Sequence, residues 1–137
     1  MKQKNKHIFV FGIFAVDLSF YVDKKVKPGE TIIAKSSNIG PGGKASNQAI
    51  SARKLGASTT LITRLGNDNF SSYANNIWRR EKLFASTTID KNLPTGMAGI
   101  FIDDKTGENS VIVDPGASAR LSIDDFYSQK SRMKKGD

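Results

Sequence analysis

The sequence predicts an α/β fold, and three stretches carry the prediction. Ile8-Phe9-Val10-Phe11 is a short apolar run stopped by Gly12, the pattern of a buried strand. Ile39-Gly40-Pro41-Gly42-Gly43 is a glycine-rich turn, after which Ala45, Ala49, Ile50, Ala52 and Leu55 recur at helical spacing. Ser58 to Leu65 then begins a second strand-and-helix unit, with Phe70, Tyr73, Ala74, Ile77 and Trp78 on one helical face. Strands that alternate with helices in this way describe an α/β architecture.

The elements follow in order. Ile8 to Gly12 forms the first strand, and Asp17 falls just beyond its carboxyl end, where open α/β sheets bind ligands. A carboxylate there can grip hydroxyl groups, or it can cap a turn. Leu18 to Val22 and Thr31 to Ala34 read as short, partly polar strands joined through Lys27-Pro28-Gly29-Glu30, a type II turn signature. They suit a small antiparallel sheet with one face in water. The helix after the glycine stretch ends at Gly56, where a C-terminal cap belongs. Gly66-Asn67-Asp68-Asn69 breaks the second strand and caps the second helix, whose end carries Arg79, Arg80 and Lys82 in favour of the helix dipole. Thr87 to Ile89 is a further short strand. Met97 to Ile102 and Ser110 to Val113 predict a hairpin. The carboxylates Asp103, Asp104 and Glu108 at its tip fit no EF-hand spacing and read as a solvated turn. Asp114 to Ser118 is a loop near a strand end, and Ser122 with Asp125 forms a capping box that opens a last helix at Ile123.

The glycine stretch is the candidate ligand loop. Glycines let backbone approach a ligand, and a helix N-terminus behind them offers N–H groups to oxygen ligands. A Walker A loop is excluded, because its first glycine falls on Asn38 and its last position is Ala45. The dinucleotide pattern G-x-G-x-x-A is met nominally by Gly40 to Ala45. The stretch before it is polar, however, and some twenty residues on stands Arg64 rather than the acid that holds a ribose. Three glycines and a proline in four residues are expected to form a tight turn that interrupts any strand.

A chain of 137 residues is one domain by length, with 38% hydrophobic residues and no apolar run that approaches a membrane span. The basic N-terminus precedes only Ile8 to Phe14 and lacks a small-residue cleavage site, which argues against a secretory leader. Without cysteine there is neither a disulfide framework nor thiolate chemistry, so the cytoplasm is the expected compartment. The net charge of +8 invites nucleic acid, yet much of it sits at Lys2, Lys4 and Lys6 and at Lys130, Arg132, Lys134 and Lys135. Such runs read as solvated ends, and no recognition motif accompanies them.

Gly42-Gly43-Lys44-Ala45-Ser46-Asn47-Gln48-Ala49 resembles the N-terminal signature of the ribokinase-like, or PfkB-type, carbohydrate kinases. Gly12 with Asp17, Pro28-Gly29-Glu30-Thr31, Lys54-Leu55-Gly56-Ala57, Gly66-Asn67-Asp68, Pro94-Thr95-Gly96 and Gly116-Ala117 follow in that family's order. The resemblance implies a Rossmann-like sheet with helices and a small antiparallel β lid, its strands at about 18–22 and 31–37. It implies transfer of the γ-phosphoryl group of ATP, with Mg²⁺, to a sugar hydroxyl, and pairing of two copies through the lid. It assigns sugar binding to Asp17, Gly42, Gly43, Lys44 and Asn47. Ribokinases proper carry Asn two residues before the Asp, where this chain has Ala15, and Gly-Ala-Asn becomes Gly116-Ala117-Ser118. The family's Gly-Ala-Gly-Asp and Asn-x-x-Glu motifs, which serve the catalytic, Mg²⁺ and ATP sites, do not occur. Residues 1–137 are therefore expected to be the N-terminal portion of such a kinase, truncated before its catalytic half and inactive alone.

Overall fold

The computed structural model describes residues 6–133. Lys2, Lys4, Lys134 and Lys135, read above as solvated ends, lie outside the described residues. Two sheets make up the fold. The first is parallel and three-stranded, in the order β1 (His7–Phe11), β4 (Ser58–Gly66), β5 (Phe84–Asp90). The second, in the order β3 (Ser36–Gly42), β2 (Ala15–Val22), β6 (Thr95–Asp103), β7 (Asn109–Gly116), pairs β2 with β6 in parallel and its outer strands antiparallel.

The parallel sheet is built by helical crossovers. α1 (Lys44–Lys54) precedes β4 and α2 (Asn69–Arg80) precedes β5, and both cover the same face. That face is the core: Leu61 and Leu65 of β4 meet Ala45 and Ala49 of α1 and Ala74, Ile77 and Trp78 of α2. Thr59-Thr60-Leu61-Ile62-Thr63 is buried throughout, as a central parallel strand should be. α2 starts where Asp68 accepts a bond from Ser71 N at 2.9 Å, the cap the sequence signals. Gly56, at φ +90°, follows the end of α1.

The opposite face carries the short helix α3 (Ile123–Tyr127), which opens with the expected capping box; Ser122 N donates to Asp125 Oδ2 at 2.8 Å. Asp125 is buried and also accepts from Arg64 Nη2 at 3.1 Å and from the Thr88 hydroxyl, which ties α3 to β4 and β5. Burial works against its charge, but the bonds from Thr88, Ser122 N and Arg64 outweigh it and hold its carboxyl below the ordinary value of 3.8.

Three sequence expectations change. The lid is not a small antiparallel pair but a four-stranded mixed sheet, because the hairpin β6–β7 docks alongside β2. Its second strand runs over Ser36–Gly42, not 31–37; Thr31 to Ala34 lie in the loop that leaves β2. The glycine-rich stretch therefore does continue a strand, with Pro41 opposite Val16. β3 is an edge strand, where backbone N–H groups lack a second neighbour, so a proline breaks no shared ladder. The third change is at β1, which is an edge and only partly covered: Ile8 and Phe11 are 41% and 42% exposed. The type II turn at Lys27–Glu30 is present, with Glu30 N donating to Lys27 O at 3.0 Å and Gly29 at φ +74°. The β6–β7 tip is a solvated turn in which Asp103 Oδ1 accepts from Lys105 N and Thr106 N.

Asp125→Ala should destabilise the chain by about 3 kcal/mol in urea unfolding, since it strips a buried charged network of its acceptor. Asp68, Asp90 and Asp125 are all held below their ordinary value in the fold, so the stability they contribute is present above pH 3.8 and is lost as pH falls through the lowered values. Asp125→Asn should flatten the pH dependence of the unfolding midpoint in that acid window, measured by circular dichroism.

Candidate functional site

The site is assembled where the chain leaves one sheet for the other. Between β1 and β2 only Gly12, Ile13 and Phe14 intervene. Gly12 N donates to Ile62 O at 3.1 Å, and a Cβ on Gly12 would stand 2.6 Å from Ala45 Cβ, so α1 packs directly on this crossing. Phe14 is fully buried and lies edge-to-face on Trp78, with ring centroids 5.2 Å apart. Trp78 Nε1 in turn donates to the buried Ser46 hydroxyl at 3.0 Å, which pins the first turn of α1.

Asp17 is the third residue of β2, between Gly40 of β3 and Ala98 of β6. It thus neither caps a turn nor trails the first strand, as its sequence position had left open. Its carboxylate sits over Gly42: a Cβ there would fall 2.1 Å from Asp17 Oδ1. Gly43 is the N-cap of α1 with φ +84°, and a Cβ on it would meet Ile13 O at 2.5 Å and Phe14 Cα at 2.7 Å. Only glycine satisfies both the left-handed backbone and that approach. The structure thus brings Asp17, Gly42 and Gly43 together. Lys44 begins α1 and Asn47 follows one turn later; both are exposed, and Asn47 N closes the first helical bond to Gly43 O at 3.0 Å.

The electrostatics of the site differ from those of the rest of the chain. Asp17 is the one partly buried carboxylate among the described residues with no hydrogen-bond or ion-pair partner. Burial alone acts on it, and it pushes the carboxyl above its ordinary value of 3.8. Beside it, α1 begins without a side-chain cap and without an acidic residue in its first turn, so its N–H groups and dipole face outward unneutralised. An unpaired acceptor beside uncapped donors suits a neutral ligand rich in hydroxyl groups. Among the described residues no group of three or more His, Asp or Glu side chains is placed to hold a metal ion.

Sequence reasoning missed the stitches that frame the site. Asp68 accepts from Thr95 N at 2.6 Å and from the Thr95 hydroxyl at 2.8 Å, while Gly66 N donates to Thr95 Oγ1 at 3.0 Å. These bonds tie the end of β4 to the start of β6. Ser118 Oγ shares its proton between Phe14 O at 3.1 Å and Arg64 O at 3.2 Å. Tyr73 OH donates to Ile39 O at 3.2 Å and joins α2 to β3. Asp68 and Trp78 carry a sequence signal, as cap and core; their second partners are remote in sequence and could not be read from spacing.

A profile described as pfkB family carbohydrate kinase matches residues 5–137. A ribokinase of Dictyostelium discoideum is 34% identical over 129 residues, covering 93% of this chain and 40% of that protein. The structure of ribokinase from Giardia lamblia superposes with a TM-score of 0.84 at 27% identity, over 91% of this chain and 41% of that one. The structure of Arabidopsis thaliana ribokinase complexed with ribose and ATP gives a TM-score of 0.70 at 30% identity, over 80% of this chain and 36% of that one. The chain spans about 40% of the length of the curated relatives it matches.

Two paired substitutions check this geometry. Gly42→Ala should cost about 1–3 kcal/mol through its clash with the Asp17 carboxylate, whereas Gly40→Ala, whose Cβ would meet nothing closer than Asn38 Nδ2 at 3.6 Å, should stay within about 0.5 kcal/mol. Asp17→Asn should keep or raise the unfolding temperature. The raised carboxyl means that ionised Asp17 weakens the fold at neutral pH, a cost that fades as pH drops through its raised value. A calorimetric scan that showed Asp17→Asn clearly less stable at pH 7 would contradict an unpartnered charge.

Proposed function

The chain belongs to the pfkB family of carbohydrate kinases, and on that footing we propose that it forms the sugar-binding portion of a ribokinase-like kinase. Asp17 accepts hydrogen bonds from adjacent sugar hydroxyls, Gly42 and Gly43 let the backbone close on the ring, and Lys44 and Asn47 supply donors from the first turn of α1. The observation that carries this reading is the partly buried, unpartnered Asp17 carboxylate seated over Gly42 at an uncapped helix start. A carboxylate kept in that condition in the free protein is a preformed acceptor, and every bond it makes is a bond to ligand. Ala15 is the buried neighbour on β2 two residues before Asp17 and offers no side-chain donor or acceptor. The sugar position facing it is therefore recognised by shape rather than by a hydrogen bond.

In the kinase as a whole the reaction moves the γ-phosphoryl group of ATP to a sugar hydroxyl. Positioning and charge stabilisation carry such transfers, and this chain's share is positioning: it binds and orients the acceptor sugar. The nucleotide and Mg²⁺ belong to the part of the kinase outside the span that matches its relatives. On this reading the 137-residue chain alone transfers no phosphoryl group.

A second reading is a non-catalytic remnant that binds sugar or pairs with a full-length kinase through its lid. It is favoured by β7, an edge strand on which Val111, Ile112 and Val113 are all exposed, Ile112 to 70%. Sedimentation of the chain mixed with a full-length ribokinase tests that pairing, since it predicts a mixed complex that Ile112→Glu abolishes.

Titration calorimetry with a panel of pentoses and hexoses tests the sugar site. Asp17→Ala should weaken binding at least tenfold to a hundredfold, the range for losing one hydrogen bond to a charged group worth about 1.5–3 kcal/mol. Unchanged affinity in that variant would overturn the assignment. Affinity should also fall at acid pH sooner than an ordinary carboxylate of pKa 3.8 would dictate, because Asp17 protonates early. Assays of ADP release should show no sugar-dependent turnover from the chain alone.

A further inference from the structure

The amino end of the parallel sheet, away from the β1–β2 crossing, opens into a second cleft of about 390 Å³. Its walls are the first residues of β1, β4 and β5 and the C-terminal ends of α1 and α2, with His7, Arg53, Ser58 and Lys82 among the lining residues. No carboxylate among the described residues borders it. Both helices end at this cleft in the same way. In α1 the Leu55 cap is followed by Gly56, whose N–H donates to Arg53 O at 3.0 Å while Ala57 N donates to Ala52 O. In α2 the Glu81 cap is followed by Lys82, whose N–H donates to Arg79 O at 3.1 Å while Leu83 N donates to Trp78 O. Such Schellman ends need a left-handed residue just past the cap. Gly56 meets that need without strain, at φ +90°. Lys82 meets it at φ +54° and is the one residue other than glycine with positive φ among the described residues. A Cβ in that conformation crowds a carbonyl oxygen and costs stability. What lysine supplies there, and glycine would not, is an ammonium group at the cleft.

Arg53 is fastened to the same turn. Its Nε donates to Lys82 O at 2.9 Å, which orients the guanidinium and leaves both Nη groups without a partner among the described residues. Neighbouring Lys54 and Arg80 both reach Glu81, but neither Arg53 nor Lys82 pairs with an acid among the described residues. Across the cleft His7 shares hydrogen bonds with the Ser58 hydroxyl at 2.7 Å and the Thr60 hydroxyl at 2.8 Å, which anchors both ring nitrogens. We propose that this cleft is a second ligand site, one that takes the phosphate dianion of a small molecule. An oriented guanidinium fork and an ammonium, both unpaired, supply charge and donors, and the Ser58 hydroxyl adds another. The strained backbone at Lys82 fits that use, since strain of this kind collects at ligand clamps. The cleft is also roomy enough for a small ligand. Arg53 lies about 14 Å along α1 from Lys44, at about 1.5 Å per residue, and none of the sugar-site residues lines the cleft. The site therefore stands or falls independently of whether Asp17 binds sugar.

Proton–nitrogen correlation NMR of the full 137-residue chain tests the site. The chain is titrated with inorganic phosphate and with phenyl phosphate, each against sodium chloride at matched ionic strength. Amides of residues 53–58 and 82–84 should shift and saturate with a phosphate and stay in place with chloride. Tighter binding of phenyl phosphate identifies a phosphate ester as the occupant, and tighter binding of inorganic phosphate identifies the free anion. Arg53→Gln should weaken the affinity by about tenfold or more, the range for losing charged hydrogen bonds. Lys82→Gly should weaken it by about fivefold and also raise the unfolding temperature. A lysine with a purely structural role would not give that combination. Shifts that chloride reproduces, or that cluster on residues 42–47 instead, would overturn the site. So would a Lys82→Gly chain that binds phosphate as tightly as the parent, or an Arg53→Gln chain that does.

Discussion

The crossing from β1 to β2 is the constraint on which the rest depends. Three residues carry the chain from one sheet to the other, and every nearby element is fitted to them. Gly12 yields room to Ala45, Gly43 turns against Ile13 and Phe14 with positive φ, and Gly96 lies where a Cβ would stand 2.7 Å from Pro115 O and 3.2 Å from Phe14 O. The Phe14 ring is clamped by Trp78, and its carbonyl takes a bond from Ser118. A side chain at any of these glycines would push apart two backbones rather than displace a flexible tip. The crossing is consequently stiff, and it delivers Asp17, the third residue of β2, to a defined place over Gly42.

Asp17 stands apart from the other buried acids of the fold. Elsewhere the fold satisfies its acids: Asp68 takes bonds from Ser71 and Thr95, Asp90 from Asn92 and Leu93 N–H and from Arg120, and Asp125 from Ser122, Arg64 and Thr88. Each is held below the ordinary carboxylate range. Asp17 is partly buried without such help, and its carboxyl is pushed the other way. A group that weakens the fold while lying beside an uncapped helix start is what a preformed ligand site requires and what packing alone does not select.

Much of this was legible in the sequence, and the failures have physical causes. β1, α1, β4, α2 and the hairpin were visible because their apolar periodicity and caps are local: Gly12, Gly56, Asp68 and the Ser122–Asp125 box each act within a few residues. The extent of β3 was not visible. Gly40, Pro41 and Gly42 have the composition of a break, and only the position of β3 at a sheet edge, opposite Asp17 and Ala15, makes them a strand. The parallel pairing of β2 with β6 was hidden for a similar reason. The two strands are far apart in the chain, and nothing in either encodes its neighbour. At the candidate site the motif residues are neighbours in sequence. The contact of Asp17 with Gly42, across two antiparallel strands, is a tertiary fact.

The polar stitches divide the lid in two. Near the crossing, Asp68–Thr95, Ser118–Phe14 and Tyr73–Ile39 bind the second sheet to the body of the molecule. Farther out the links join the lid only to itself: Lys35 bridges Asp23 and Asp104, and Lys24 pairs with Glu30, all on exposed side chains or a loop in water. Hydrogen bonds from its ammonium to Asp104 and Asp23 hold Lys35 well above its usual range, but such surface pairs are screened by solvent and salt. Of the inner bonds, Asp68–Thr95 and Ser118–Phe14 are the more buried, Thr95 being almost fully enclosed. The geometry around Asp17 is therefore set by the inner stitches and the glycine contacts.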